Sequence, residues 1–201
     1  MGISDHLVVP FYKKHIVNYL PTALLGSISN NMFEGDLYDR KFGNWDINSD
    51  WNLNKEYNTI ICTRCAYFAK DPERFIKKCY DNLEDNGKLY VDWGLGDHWR
   101  FKNFKVGWVK NGEQEYAYGT NNFLWSVVWD DGFLENEQCK IFEMEIKKKG
   151  YNNLKDAIFK EVPCVLDYEF IKKYFSVSYD ILTIVNPYLQ MYVFISGTKH
   201  E

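Results

Sequence analysis

The sequence contains no apolar run approaching the ~18 residues that a membrane-spanning helix requires. Its opening residues, MGISDHLVVPF, lack a charged segment followed by a longer apolar one, so no secretory leader is expected. Basic residues are in deficit: 24 Lys and Arg against 28 Asp and Glu leave a net charge of −4. That balance argues against a general nucleic-acid-binding surface or an anionic-membrane surface. Cysteine is sparse and odd in number, five in all, at positions 62, 65, 79, 139 and 164. Three of them fall in segments of buried type, which points to reduced thiols and a cytoplasmic compartment. Cys62 and Cys65 have the spacing of a redox or zinc pair, yet no helix opens at Cys62 and no second pair follows. They read as two small residues packing at a strand end, and no metal site is expected. No internal repeat or low-complexity linker divides the chain. With 46% apolar residues, 201 residues suffice for one core without disulfides or metals, so a single domain over 1–201 is expected.

What is present is clearest between Lys55 and Gly94. Asn58–Cys62 (NTIIC) is a short β-branched run of the kind buried on both faces in parallel sheets. Asp71-Pro72-Glu73 opens a helix, with a capping carboxylate, proline at the first position and an acid in the first turn. Phe75, Ile76, Cys79, Tyr80 and Leu83 give that helix one apolar face, and Asn86-Gly87 supplies the left-handed residue expected to stop it. Lys88–Trp93 (KLYVDW) is the next strand. A strand–helix–strand unit of this length joins parallel neighbours. Ligands in such sheets bind outside the carboxyl ends of the strands, so the loops beginning at Thr63 and at Trp93 are the first places to look.

The remaining segments arrange themselves around this unit. Val8–Leu20 reads as a leading helix with Phe11, Ile16 and Leu20 on one side, Thr22–Ser29 as a strand running into a loop, and Asn44–Ile47 as a short strand. Residues 96–134 carry Gly, Asn, Asp and aromatics in no helical period and read as an insertion of short strands or a lid. Five of the seven tryptophans (93, 99, 108, 125, 129) fall in or just before it, either to stack on a ligand or to form a satellite core under a β-rich flap. Asn136–Lys149 and Asp167–Phe175 read as helices. Val177–Val185 and Tyr188–Ser196 read as a final antiparallel hairpin turned at Asn186-Pro187. His98 is the one histidine away from the termini and the first helix; histidine is the residue type whose charge can switch near neutral pH, so it reads as a functional base or as an ordinary loop residue.

The stretch Tyr57–Gly94 resembles the second half of a class I S-adenosylmethionine-dependent methyltransferase. IICTRCAYFAKDPERF and DNLEDNGKLYVDWG follow that family's apolar strand, loop, Asp-Pro helix and Asn-Gly-Lys turn in order and spacing. The closing hairpin resembles it more loosely, since the family's last strand inserts antiparallel beside strand six. The resemblance implies an α/β fold: a three-layer αβα sandwich with a mostly parallel Rossmann-like sheet, an antiparallel last strand and a β-rich aromatic insertion. It implies S-adenosylmethionine as cofactor and a small or medium-sized molecule as methyl acceptor. The family's glycine-rich loop corresponds to LLGSISNNMFEG, where Gly26 matches and Ser27, Ser29 and Asn30 stand for the other small residues. Asp46 follows Gly26 by about 20 residues, the spacing of the carboxylate that accepts from ribose hydroxyls. If WDINSDW is instead the third strand, Asp46 meets the adenine amine and Ile47 the adenine face; a turn-capping carboxylate is the other reading. The stretch between the first and fourth strands is too short for the family's full set of elements, which implies a shortened N-terminal half. By the same resemblance Thr63 and Arg64 lie at the methionine end of the cofactor, and Tyr67 and His98 are the candidate catalytic groups. Trp93, Trp99 and Arg100 would contact the acceptor. The rival reading is a non-catalytic binding or scaffold domain that has kept the fold and lost the cofactor site.

Overall fold

The computed structural model describes residues 5–26, 32–94, 147–148, 150–152, 167–184 and 190–201. The chain forms two compact units, one of residues 1–93, 165–180 and 194–201, the other of 94–164 and 181–193. Three helices belong to the first unit: α1 (Asp5–His15), α2 (Pro72–Asp81) and α3 (Tyr168–Ile171). Six strands form one sheet: β1 (Thr22–Leu25), β2 (Asp36–Tyr38), β3 (Tyr57–Cys62), β4 (Leu83–Gly94), β5 (Phe175–Ile184) and β6 (Gln190–Lys199). Their order is β2-β1-β3-β4-β6-β5. The adjoining ends of β5 and β6 fall in the second unit, together with Gly94, 147–148 and 150–152. The sequence-predicted insertion 96–134 and most of the helix 136–149 lie outside the described residues.

β1 to β4 are parallel, with Ala23 opposite Asp36 on one side and Ile60 on the other, and Ile60 opposite Leu89. Parallel strands need a crossover, and α2 provides it between β3 and β4. β6 runs the other way. Contacts climb β4 as they descend β6, from Lys199 Nζ on the Leu83 carbonyl to Lys88 Nζ on Thr198 Oγ1 to Tyr90 stacked on Phe194. The connection 185–189 is too short for a crossover, and the His200 amide donates to the Tyr174 carbonyl at 3.0 Å, so β5 and β6 are antiparallel. The fold is an α/β, Rossmann-like mixed sheet whose last strand is inserted antiparallel.

Helices cover both faces. Side chains alternate along β4: Tyr90 and Asp92 meet the α1 side, while Trp93 packs on Phe75 of α2 with ring centroids 5.9 Å apart. β3 is buried on both faces, as NTIIC requires, with Ile60, Ile61 and Cys62 wholly inaccessible. Each such aliphatic side chain contributes roughly 1.5–3 kcal/mol by burial.

α2 forms where its signals stand. The Asp71 carboxylate accepts from the Arg74 amide at 2.9 Å, Pro72 occupies the first turn, and Phe75, Ile76 and Cys79 are buried. Its end differs from expectation. The helix stops at Asp81, capped by Asn82, and Asn86-Gly87 falls inside β4, where Asn86 adopts φ 61° at a shift in the β3–β4 register. The leading helix also ends early, at His15; it buries Tyr12, and Ile16 just beyond it is buried too, while Leu20 stays exposed. NWDI is a turn, not a strand. Trp45 buries its ring against Trp51 (5.6 Å), which meets Phe75 (6.2 Å), and Asp46 Oδ1 takes the Asn48 amide at 2.9 Å. The second strand is instead Asp36–Tyr38, three residues held by a cluster of hydroxyls. Tyr38 and Tyr57 hydroxyls lie 2.7 Å apart, and the Tyr57 hydroxyl reaches Asp36 Oδ2 at 2.8 Å.

Asn82 joins two segments. Its Oδ1 accepts the buried Leu53 amide at 2.7 Å and its Nδ2 donates to the Lys78 carbonyl at 2.8 Å. Asn82→Ala strands the Leu53 N–H, and urea denaturation should show a loss of about 1–3 kcal/mol. An unchanged midpoint would remove Asn82 from this role.

Candidate functional site

From β1 the chain steps to β2 on one side of the sheet and returns to β3 on the other. Strand order therefore reverses between β1 and β3, and a crevice opens at the carboxyl ends of such a pair. β1 ends at Leu25, and Gly26 follows with φ +88°, its amide donating to the Tyr38 carbonyl at 2.8 Å. Only glycine takes that backbone conformation without cost. A Cβ at Gly26 would also meet Cys65 Cβ and Sγ at 3.0 Å. The bare backbone is thus matched by the loop after β3.

That loop turns sharply. Thr63 is buried, and Arg64 has φ 56°, the left-handed region that a side chain rarely occupies. Its amide donates to Asp92 Oδ1 at 2.7 Å. Asp92, one residue before Trp93 on β4, also accepts the Tyr12 hydroxyl from α1, and both Asp92 and Tyr12 are wholly buried. Burial pushes the Asp92 carboxyl up to about 6, against the downward pull of the Tyr12 hydroxyl and the Arg64 amide. Tyr67 follows in a 3-10 turn (Ala66–Phe68) and is buried. Trp93 is inaccessible, and its indole N–H has no hydrogen-bond partner among the described residues. Cys62 and Cys79 are buried free thiols whose ionisation burial pushes up, and no group of three potential metal ligands occurs among the described residues.

The structure brings Gly26, Thr63, Arg64 and Asp92 to one carboxyl edge, with Tyr67 in the same loop. Asp46 does not join them through any hydrogen bond. Its carboxylate takes the Asn48 amide and lies 3.6 Å from Arg40 Nε, the geometry of the turn-capping alternative. Asn48 then pins that turn to the end of the β3 loop, at the Phe68 carbonyl (3.1 Å) and the Lys70 amide (2.8 Å). Ile47 lines a separate cavity of 190 Å³ with Trp51, Phe75, Lys70, Arg74 and Lys78. Ser27, His98, Trp99 and Arg100 lie outside the described residues. Two residues escaped the sequence reading. Tyr12 reaches Asp92 across 80 positions, which no local pattern encodes. Asp39 is the first residue after β2 and caps the following turn by accepting the Lys41 amide at 2.7 Å. It was hidden because β2 has no periodic signal.

Comparison with known proteins gives likeness at the level of solved structures alone. No protein-family model matches the sequence, and no curated protein does. The structure is similar to a SAM-dependent methyltransferase, possible histamine N-methyltransferase, from Thermotoga maritima. That pair is 14% identical over 96% of this chain and 88% of the other, with a TM-score of 0.43. It is similar to the N-methyltransferase NodS from Bradyrhizobium japonicum, solved with S-adenosyl-L-homocysteine, at 7% identity over 90% and 79% with a TM-score of 0.41. It is also similar to YcgJ from Bacillus subtilis, at 10% identity over 98% and 99% with a TM-score of 0.42. Likenesses of this size assign the chain to no family. No described helix is long and apolar enough to cross a membrane.

The Asp92 carboxyl gives a signed pH prediction. The folded state holds its proton more tightly than the unfolded chain, whose value is the ordinary 3.8. The stability this group contributes is therefore full below 3.8 and lost as pH rises through about 6. Asp92→Asn keeps the shape and removes that loss. Denaturation curves should show the variant gaining about 3 kcal/mol on the parent between about pH 4 and about pH 7. A difference independent of pH would contradict a buried ionising carboxyl. Gly26→Ala, forced into a left-handed backbone against Cys65, should cost at least about 1–2 kcal/mol; a neutral substitution would refute the close packing.

Proposed function

We propose that the chain is an S-adenosylmethionine-dependent methyltransferase acting on a small or medium-sized acceptor, with a shortened cofactor-binding half. The observation that carries the reading is the reversal of strand order between β1 and β3, with a left-handed glycine at the end of one and an inverted arginine backbone at the end of the other. The antiparallel last strand beside the sheet's parallel part agrees with it. The residues fit such a cofactor in kind. Gly26 offers backbone without a side chain, Asp39 at the end of β2 offers a carboxylate for ribose hydroxyls, and Trp93 holds a buried donor. Ser27, Thr63 and Arg64 complete the proposed cradle. When bound, the cofactor supplies a sulfonium methyl group. The chain's own task is to align the acceptor and exclude water, which Trp93, Trp99 and Arg100 are proposed to do. Tyr67 and His98 are the proposed proton acceptors for a hydroxyl or amine substrate.

One observation favours a second reading, a scaffold without catalysis: Cys65 Cβ and Sγ crowd the Gly26 backbone, 3.0 Å from where a Cβ would lie. Titration calorimetry with S-adenosylmethionine and S-adenosylhomocysteine separates the two. The enzyme should bind both at micromolar levels, and Asp39→Ala should weaken binding by about 1–3 kcal/mol with Asp46→Ala affecting it less. Absence of heat at high ligand concentration would leave the scaffold.

A further inference from the structure

The opposite, amino-terminal ends of the strands carry a second cleft, of 590 Å³, lined by Asn18, Tyr19, Leu20, Asn58, Asn86 and Lys88. It lies a strand's length, roughly 15 Å, from the carboxyl edge, so it is a different place on the molecule. We propose that this cleft binds a saccharide bearing one acidic group, such as a uronic acid or a sugar phosphate. The inference stands whether or not the methyl-transfer reading does.

The lining selects that chemistry. Among the described residues no carboxylate lines the cleft, which disfavours a cationic ligand, and the one charged group lining it is the Lys88 ammonium. Lys88 is held in place by donating to Thr198 Oγ1 at 2.6 Å and keeps two further N–H groups for an anion. Three carboxamides share the wall. Asn58 Nδ2 is tied to the Leu20 carbonyl at 2.8 Å, which orients the group and leaves its Oδ1 as an acceptor. Asn18 is fixed more firmly, donating to the Glu34 carbonyl at 2.9 Å and accepting the Thr22 hydroxyl. Asn86 makes no side-chain hydrogen bond among the described residues, and it sits in the left-handed conformation at the β4 register shift. A carboxamide places a donor beside an acceptor, the pattern that vicinal hydroxyls complement. The apolar face of a sugar ring needs a surface to cover, and Tyr19 (54% exposed) and Leu20 (52%) provide one. A single exposed aromatic is ordinary; one bordering a ligand-sized cleft walled by oriented carboxamides is not.

The test is an amide-shift titration of the labelled full-length protein with glucose, glucuronate, glucose 6-phosphate and inorganic phosphate. Glucuronate or glucose 6-phosphate should move the amides of residues 18–20, 58 and 86–88, about tenfold more tightly than glucose, and whichever binds better identifies the acid as carboxylate or phosphate. Tyr19→Ala should weaken that binding about tenfold, and Lys88→Met should bring acidic and neutral sugars level. The proposal is overturned if no sugar moves these amides, if the shifts map elsewhere, or if Tyr19→Ala leaves them unaltered. It is equally overturned if inorganic phosphate matches glucose 6-phosphate.

Discussion

The architecture of the carboxyl edge depends on one buried carboxylate. Asp92 is shut away from solvent with an amide on one oxygen and a phenol on the other, and those two partners come from different layers. Through Tyr12 it fastens α1 to the sheet. Through the Arg64 amide it holds the loop after β3 in a left-handed turn that arginine would not choose alone. A buried carboxylate is costly, and leaving either oxygen without its partner would make it costlier still. The requirement to satisfy it therefore sets the direction in which the β3 loop leaves the sheet. Cys65 follows from that direction, and its side chain lands against Gly26.

The first half of the sheet is spare in its described residues. Between β1 and β3 the described residues hold one three-residue strand and one 3-10 turn. The apolar residues there, Trp45, Trp51 and Leu53, do not pair backbones; they bury their side chains, and Trp51 meets Phe75 of α2. Asn82 and Asn48 then tie the segment to the helix end and to the β3 loop through their carboxamides. Side-chain packing and polar ties take the place of a regular layer.

How far the sequence could be read follows from the range of the interactions concerned. NTIIC is buried on both faces and its strand stands where its composition puts it. Asp71-Pro72 starts α2 because capping is decided within four residues. Gly26 was legible as a backbone position, since a glycine after an apolar run marks a turn. The misses share the opposite character. β2 carries no periodicity because a three-residue edge strand buries little, and its hydroxyl partners come from Tyr57. Asn86-Gly87 signals a left-handed residue correctly, but such a residue serves a bulge as readily as a helix end. Asp46 sits at a plausible spacing and is spent on its own turn. The pairing of Tyr12 with Asp92 exists only once the sheet has formed, so no local pattern announces it.

The central claim is that the reversal between β1 and β3 is the ligand crevice of this protein. A crystal structure obtained with S-adenosylhomocysteine tests it most directly. The account predicts ordered ligand density at the carboxyl ends of β1 and β3, touching Gly26 and the loop that begins at Thr63. Density bound elsewhere, or a crevice filled by protein side chains at saturating ligand, would contradict it.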